Sequence, residues 1–144
     1  MRLVAIVVAA GALLAAGCGG DEEATGQDGA NRSNGKTLFV SGADGNARCG
    51  SCHTLLDAGP AGTVGPNLDQ ALGYGCSQGF AESTAYSVVL GQIELAQGAM
   101  PADLVTGQDA VDVAAYVASV AGKDIPGCDP SGDQSDGAAT STSG

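Results

Sequence analysis

The clearest feature of the chain is a helical spacing of apolar residues near its C-terminal end. One face of this predicted helix carries Val113, Tyr116, Val117 and Val120, at positions i, i+3, i+4 and i+7. Thr106 and Asp109 have the T-x-x-D spacing of a helix start, and Gly122 follows the last apolar residue. The pattern therefore predicts a helix that starts at Thr106 and is closed by Gly122.

Two further segments have helical signals. In "NGKTLFVSG", Asn34 is the predicted cap and Gly42 the predicted stop, and "FAESTAYSVVLG" is predicted to end at Gly91. The segments "AGPAGTVGPNL" and "LAQGAMPADL" are rich in Gly and Pro, which predicts loops. No stretch alternates like a strand, so the predicted fold is all-α, small and rich in loops.

The first residues have the pattern of an export signal. Arg2 precedes an apolar run over residues 3–14, and "AAGC" ends the run at Cys18. The run is shorter than the about 20 apolar residues that span a bilayer. A cysteine after Ala-Ala-Gly resembles the lipobox of bacterial lipoproteins. Residues 1–17 are therefore predicted to be a lipoprotein signal peptide and Cys18 the lipid-bearing residue; ordinary cleavage that leaves a free thiol is the alternative.

After the predicted signal peptide, composition divides the rest of the 144-residue chain into one domain and two flanking segments. Residues 18–33 are Gly-rich, acidic and nearly free of large apolar side chains, which predicts a flexible, lipidated linker. The segment from residue 129 to 144 has the same character and is predicted to be a disordered tail. The folded domain is therefore expected over residues 34–128.

The charge narrows the classes of partner. With 5 Lys and Arg against 16 Asp and Glu, the formal net charge is -11, which disfavours nucleic acid and anionic lipid surfaces. The acidity either steers the protein to a basic patch on a partner or keeps its surface solvated. With 24 Gly, no Trp, 3 Tyr and 2 Phe, the chain has few large side chains to fill a core.

The most specific motif is "CGSCH", in which Cys49, Cys52 and the single histidine, His53, have the C-x-x-C-H spacing of covalent haem attachment. Two thiols at this spacing form thioethers with the two vinyl groups of one haem, and the next histidine binds the iron. The alternatives are a chance pentapeptide, a thioredoxin-type dithiol, which needs a βαβ setting, and a zinc site, which needs further ligands.

The sixth position of such an iron has one methionine candidate. Met1 belongs to the predicted signal, so Met100 in "GAMPADL" remains. It lies on a Gly/Pro loop between two predicted helices, which favours ligation over the usual role of methionine as a filler of core gaps. An open sixth site that binds a small gas or peroxide is the remaining alternative.

The cysteine count predicts a disulfide. Once two cysteines hold haem and Cys18 takes lipid, Cys76 and Cys128 are the even remainder in an exported chain. A bridge between them would pin the segment after the last helix to the domain. Two free thiols, or an intermolecular bond, are the alternatives.

Four motifs, "CGSCHTL", "TVGPNL", "GAMPA" and "DVAAYVASV", follow one another in the order found in class I c-type cytochromes, the small monohaem electron carriers, which the region over residues 34–128 resembles. The resemblance implies a fold of about three to five short helices and long loops around one covalent haem c. It also implies that the carbonyl of Pro66 accepts a hydrogen bond from His53 Nδ1, which orients the ring and raises its donor strength.

The resemblance further implies how the helices pack. Gly35 and Phe39 of the first predicted helix would cross Val113 and Tyr116 of the last, with the glycine allowing close approach. The haem would supply the apolar bulk that the side chains lack. The acidic charge departs from the basic surface of the best-known members.

The function implied is that of a one-electron carrier, not an enzyme. We expect a monomer, tethered by lipid to the extracytoplasmic face of the bacterial cytoplasmic membrane. Its expected donor is a quinol-oxidising complex or a periplasmic dehydrogenase, and its expected acceptor a terminal oxidase; no nucleic acid is expected as a partner. The alternative is a haem-based ligand-binding or peroxidase-type protein with a labile or open sixth position.

Overall fold

The computed structural model describes residues 25–59 and 62–128, and this part of the chain is helical without a strand. The all-α prediction is therefore confirmed. The helices are α1 (Thr25–Asp28), α2 (Arg32–Ser41), α3 (Leu68–Ser77), α4 (Glu82–Leu95) and α5 (Gly107–Val120). Two short 3₁₀ turns, Cys49–Ser51 and Leu56–Ala58, lie between α2 and α3.

The C-terminal helix has the predicted limits. Thr106 precedes the first residue of α5 in an extended conformation, although its side chain makes no capping hydrogen bond. The helix ends at Val120, and Gly122 then adopts a φ of 79°. A side chain at Gly122 would also collide with the backbone of Gly73 in α3, so both conformation and contact require glycine there.

The predicted start of α2 was wrong by one turn. The cap is Asn31, whose side chain accepts a hydrogen bond from the backbone N–H of Asn34 at 3.0 Å. Asn34 instead lies inside the helix, and its side-chain amide donates to Asp109 and Asp112 of α5. The stop at Gly42 is confirmed, with a φ of 82°.

Residues 25–33, which belong to the predicted flexible linker, contain α1 and the start of α2 in the structure. The backbone N–H of Asn31 donates to Asp112 Oδ1 at 2.8 Å, and Gln108 Nε2 donates to the carbonyl of Gly29. These bonds to α5 satisfy backbone groups of residues 25–33, which the composition of the segment does not predict. The predicted signal peptide, Cys18 and the predicted tail after residue 128 lie outside the described residues.

Two helical segments differ from the prediction. The helix α3 follows the Gly/Pro loop and was missed; its cap is Asn67, whose side chain accepts from the N–H of Gln70. The helix α4 continues through Gly91 to Leu95. A side chain at Gly91 would meet no atom within 4 Å, and α4 ends one turn later, at Ala96 in the left-handed conformation.

The crossing of α2 and α5 forms the centre of the core, as the resemblance implies. A side chain at Gly35 would overlap the backbone carbonyl of Asp112, so only glycine permits this approach. The rings of Phe39 and Tyr116 meet edge to face, with centroids 6.1 Å apart. Such a pair stabilises by about 0.5–1.5 kcal/mol beyond the burial of its area. In the described residues, no helix has the length and apolar character needed to cross a membrane.

Candidate functional site

A cavity of about 460 Å³ lies between the turn at Cys49–Ser51, the loop before α3, helices α4 and α5, and the loop that joins these two helices. Its volume is within the range of about 300–1,000 Å³ that is typical of ligand and cofactor sites. Most of the side chains that line it are apolar: Phe39, Val64, Leu68, Leu72, Val88, Val89, Ile93, Leu104, Val113 and Val117.

Five residues that the sequence singled out line this one cavity: Cys49, Cys52, His53, Pro66 and Met100. They come from three separate stretches of the chain, so the fold brings them together. Cys76 and Cys128 do not line the cavity and are joined to each other by a disulfide, with Cα atoms 5.0 Å apart.

The two thiols of the motif lie on a tight turn. The backbone N–H groups of Cys52 and His53 donate to the carbonyl of Cys49 at 3.1 and 3.0 Å, which closes the turn. Gly50 is buried between the two cysteines, both of which are free thiols. Burial raises the pKa of the Cys49 thiol, which favours its protonated form.

The imidazole of His53 is oriented by the loop before α3. Its Nδ1 lies 3.0 Å from the carbonyl oxygen of Pro66. Since a carbonyl only accepts, Nδ1 carries the proton and Nε2 keeps its lone pair for a metal. This is the contact that the sequence resemblance implied for these two residues.

Further hydrogen bonds hold this loop against the motif. The N–H of Gly65 donates to the carbonyl of Cys52 at 2.8 Å, and Thr54 Oγ1 donates to the carbonyl of Gly62 at 2.9 Å. The N–H of Leu68 donates to the carbonyl of Thr54, also at 2.9 Å. None of these bonds was predicted, because each ends on a backbone carbonyl, which every residue has.

Met100 lies on the predicted loop between α4 and α5, where it lines the cavity and is partly buried against the core. Its backbone N–H donates to the carbonyl of Gln97 at the end of a turn. Gly98 precedes it with a φ of 70°, and Asp103 follows with a φ of 57°. The loop is thus bent on both sides of the thioether.

A polar cluster, formed by Lys36, Asp57 and Tyr116, ties the motif segment to α2 and α5. Asp57 Oδ1 accepts from Lys36 Nζ at 2.9 Å and from the Tyr116 hydroxyl at 2.8 Å. The hydrogen bond from Lys36 is the largest cause that lowers the pKa of Asp57, and the bond from Tyr116 is the second. Burial is the largest cause that raises the pKa of Tyr116, and its bond to Asp57 is the second. Sequence reasoning missed this cluster because its members are 21 and 59 positions apart.

Two alternatives to haem, the zinc site and the thioredoxin-type dithiol, lack what they need in the described part of the chain. Over residues 25–59 and 62–128, no group of three or more His, Cys, Asp or Glu side chains is arranged to hold a metal ion. The disulfide removes Cys76 and Cys128 as zinc ligands. The described chain also has no strand, so the dithiol lacks the βαβ setting of a thioredoxin-type motif.

The donor set fits a covalently attached haem. Two thiols, an imidazole with a free Nε2 and a thioether surround an apolar cavity, which matches two vinyl attachment points and the nitrogen and sulfur ligands that haem iron takes. Apart from the thiols and His53, the side chains at the cavity that carry polar groups are Arg48, Ser51, Gln92 and Gln97.

The match to a family model agrees with this chemistry. The family model described as cytochrome c matches residues 33–121. Among solved structures, the chain is similar to the c-type cytochrome SorU from Sinorhizobium meliloti, with 33% sequence identity and a TM-score of 0.44. That match covers 64% of this chain and 92% of the SorU chain. No curated protein matches the chain.

Proposed function

The chain belongs to the cytochrome c family and its cofactor is covalently bound haem c, and we propose that it is a monohaem, class I one-electron carrier with His53 and Met100 as axial ligands. The observation that carries the proposal is the convergence of Cys49, Cys52, His53 and Met100 on one apolar cavity. Bound there, the haem iron supplies reversible one-electron oxidation and reduction.

The residues of the chain have separate tasks in this proposal. Cys49 and Cys52 hold the cofactor through thioethers, so the haem stays attached to the protein in either oxidation state of the iron. His53 donates through Nε2, and its hydrogen bond to Pro66 fixes the ring and increases its basicity. Methionine ligation by Met100 raises the reduction potential.

The apolar lining of the cavity supports the same role. Side chains such as Leu72, Val89 and Val117 exclude water from the site, which limits the solvent reorganisation that accompanies a change of charge. The loop bonds around Gly62 and Gly65 hold the motif segment in place. A site that moves little between its two oxidation states suits a carrier more than an enzyme.

We place the carrier at the outer face of the bacterial cytoplasmic membrane, anchored by lipid on Cys18. Thioether-linked diacylglycerol and an amide-linked acyl chain would together provide stable anchoring. A high potential suits a donor such as a quinol-oxidising complex or a periplasmic dehydrogenase and a terminal oxidase as acceptor. The net charge of -11 favours partner surfaces that are basic.

The experiment that tests the function is a potentiometric titration of the purified holoprotein, followed by mixing of the reduced protein with carbon monoxide. We expect a single one-electron transition and no rapid binding of carbon monoxide, because Met100 occupies the sixth position. Rapid binding by the wild-type protein would contradict the carrier and favour a ligand-binding or peroxidase-type protein.

A further inference from the structure

The ring of His53 is in contact with a second residue besides Pro66. A Cβ atom built on Gly65 would lie 2.7 Å from Nδ1 and 2.9 Å from Nε2 of His53, and it would overlap Cε1. Real Cβ atoms essentially never approach other atoms within 3.0 Å. These distances place the added Cβ over the face of the imidazole, next to Cε1 and both nitrogens, so Gly65 packs against the face of the ring.

The backbone of Gly65 does not itself require glycine. Its φ is outside the left-handed region, unlike that of Gly59 or Gly98. An alanine at this position is therefore compatible with the backbone, and the collision with the ring is what excludes it. Glycine is thus required at position 65 by its contact with the ring and not by the backbone conformation.

We propose that Gly65 is a positioning residue for the axial ligand: the missing side chain sets the rotation of the His53 ring and thereby keeps Nδ1 on the Pro66 carbonyl. The inference rests on the proposed role of His53 as a ligand. It extends that role, because it assigns the orientation of the ring to a residue that has no functional group.

The loop around Gly65 is held in place by a hydrogen bond and by close contacts. If a side chain is added at position 65, the imidazole ring of His53 is therefore the part that must move. The N–H of Gly65 is bonded to the carbonyl of Cys52 at 2.8 Å, so the loop is held on the motif at this point. Gly62, three residues earlier, lies so close that a Cβ there would be 2.6–2.7 Å from backbone atoms of Ser51 and Cys52. Because the backbone at both glycines lies against the motif, an added methyl group at position 65 must turn the imidazole.

Turning the ring has two consequences that can be measured. It lengthens or breaks the bond from Nδ1 to Pro66, which changes the basicity of Nε2 and therefore the reduction potential. It also changes the orientation of the imidazole plane, to which the g values of low-spin ferric haem in electron paramagnetic resonance are sensitive. Neither quantity depends on the stability of the fold as such.

Two other glycines provide matched controls. Gly73 in α3 is not at the cavity, and a Cβ there would lie 2.9 Å from Gly122 Cα and overlap Ile125. Gly91 in α4 has open space around it. Neither has a left-handed φ. Gly73→Ala is thus a steric change away from the ligand, and Gly91→Ala is a change without a collision.

The test compares the wild-type holoprotein with holoproteins of Gly65→Ala, Gly73→Ala and Gly91→Ala. We expect shifted g values and a shifted reduction potential in Gly65→Ala alone. Gly73→Ala should lose thermal stability while its g values and potential stay those of wild type, and Gly91→Ala should keep both. Wild-type g values and potential in Gly65→Ala would overturn the proposal, as would equal shifts in Gly65→Ala and Gly73→Ala.

A measurement on the wild-type protein decides the matter if Gly65→Ala does not mature. In the reduced, diamagnetic holoprotein, nuclear magnetic resonance should show a strong contact between the Cε1 proton of His53 and the Cα protons of Gly65. Absence of that contact would overturn the proposal. Failure of the proposed function is distinguishable, because it would appear in the wild-type protein as rapid binding of carbon monoxide while His53 still binds the iron, and the role of Gly65 would stand. A wild-type ferric iron without histidine ligation would overturn both.

Discussion

The Cα atom of Gly35 lies directly against the backbone carbonyl of Asp112, where α2 crosses α5. No other residue type permits this approach, because a Cβ would overlap the carbonyl and lie 2.9 Å from Cβ of Tyr116. The contact lets Phe39 and Tyr116 meet edge to face one turn further along. The two helices thus form one side of the haem cavity, to which Phe39 and Val113 contribute.

Replacement of Gly35 by Ala should therefore destabilise the protein although alanine is the better helix former. Overpacking costs about 1–3 kcal/mol, whereas the gain in helix propensity is at most about 1 kcal/mol. Chemical denaturation of the holoprotein measures the difference. Gly91→Ala in α4 is the control and should keep or increase the free energy of unfolding; a Gly35→Ala protein as stable as that control would disprove the steric role.

The buried carboxylate of Asp112 should hold the N-terminal segment on the domain. It is 3% exposed and accepts from the N–H of Asn31 and the side-chain amides of Asn34 and Gln108. Asp112→Ala leaves these donors without their acceptor, which should cost about 3 kcal/mol. Limited proteolysis should then cut within residues 25–31 of the variant, while Asp124→Asn, at an exposed carboxylate, should behave like wild type.

The carboxylate of Asp112 should make the free energy of unfolding depend on pH, and the direction of its pKa shift gives the sign. Burial alone would raise the pKa of Asp112, but the bonds from Asn31, Asn34 and Gln108 together lower it below its ordinary value of 3.8. A pKa lowered by folding gives stability that is full above the unfolded value and is lost as the pH falls through the folded value. Wild type should therefore lose stability below about pH 4 more steeply than Asp112→Ala; parallel curves would contradict this.

The disulfide between Cys76 and Cys128 should be present in the purified holoprotein and stabilise it. It joins the end of α3 to the segment after α5 across 52 positions. The chain-entropy model gives about 4 kcal/mol for such a loop, an upper figure because covalent haem already restricts the unfolded chain. Alkylation of the denatured, unreduced holoprotein should modify neither cysteine, and modification of both would show that the bridge is missing.

The lipid anchor on Cys18 is tested by mass and fractionation. The mature protein expressed in a bacterial host should partition into membranes and carry the mass of its acyl chains. The Cys18→Ser variant should not be processed as a lipoprotein. A mature wild-type protein whose mass shows no acyl chains would refute the anchor, and the carrier role of the domain would be unaffected.

The sequence carries strong signals for the haem motif and for α5, and each signal has a physical reason. The C-x-x-C-H spacing is dictated by covalent chemistry within five residues, and α5 is buried along much of its length, so its apolar spacing is strong. The helix α3 was missed because two glycines, Gly73 and Gly75, interrupt its pattern. The N-x-x-Q spacing of Asn67 and Gln70 at its start was the available signal.

Other features depend on contacts that no local pattern contains. Asn31 and Asn34 are both good caps, and the choice of Asn31 as the cap goes with the bond from its N–H to Asp112, 81 positions away. The bond between Asp57 and Tyr116 and the contact between Gly65 and His53 likewise exist only once the chain is folded. The role of a glycine in particular depends on the residues that pack around it in the folded chain.

The central claim, that a histidine and a methionine hold the iron, is tested most directly by the near-infrared absorption of the oxidised wild-type holoprotein. Coordination of ferric haem by the Met100 sulfur predicts a weak band there, and Met100→Ala should abolish it, lower the reduction potential and admit exogenous ligands while Cys49 and Cys52 keep the haem attached. A wild-type spectrum without the band, or a band that survives in Met100→Ala, would contradict the account.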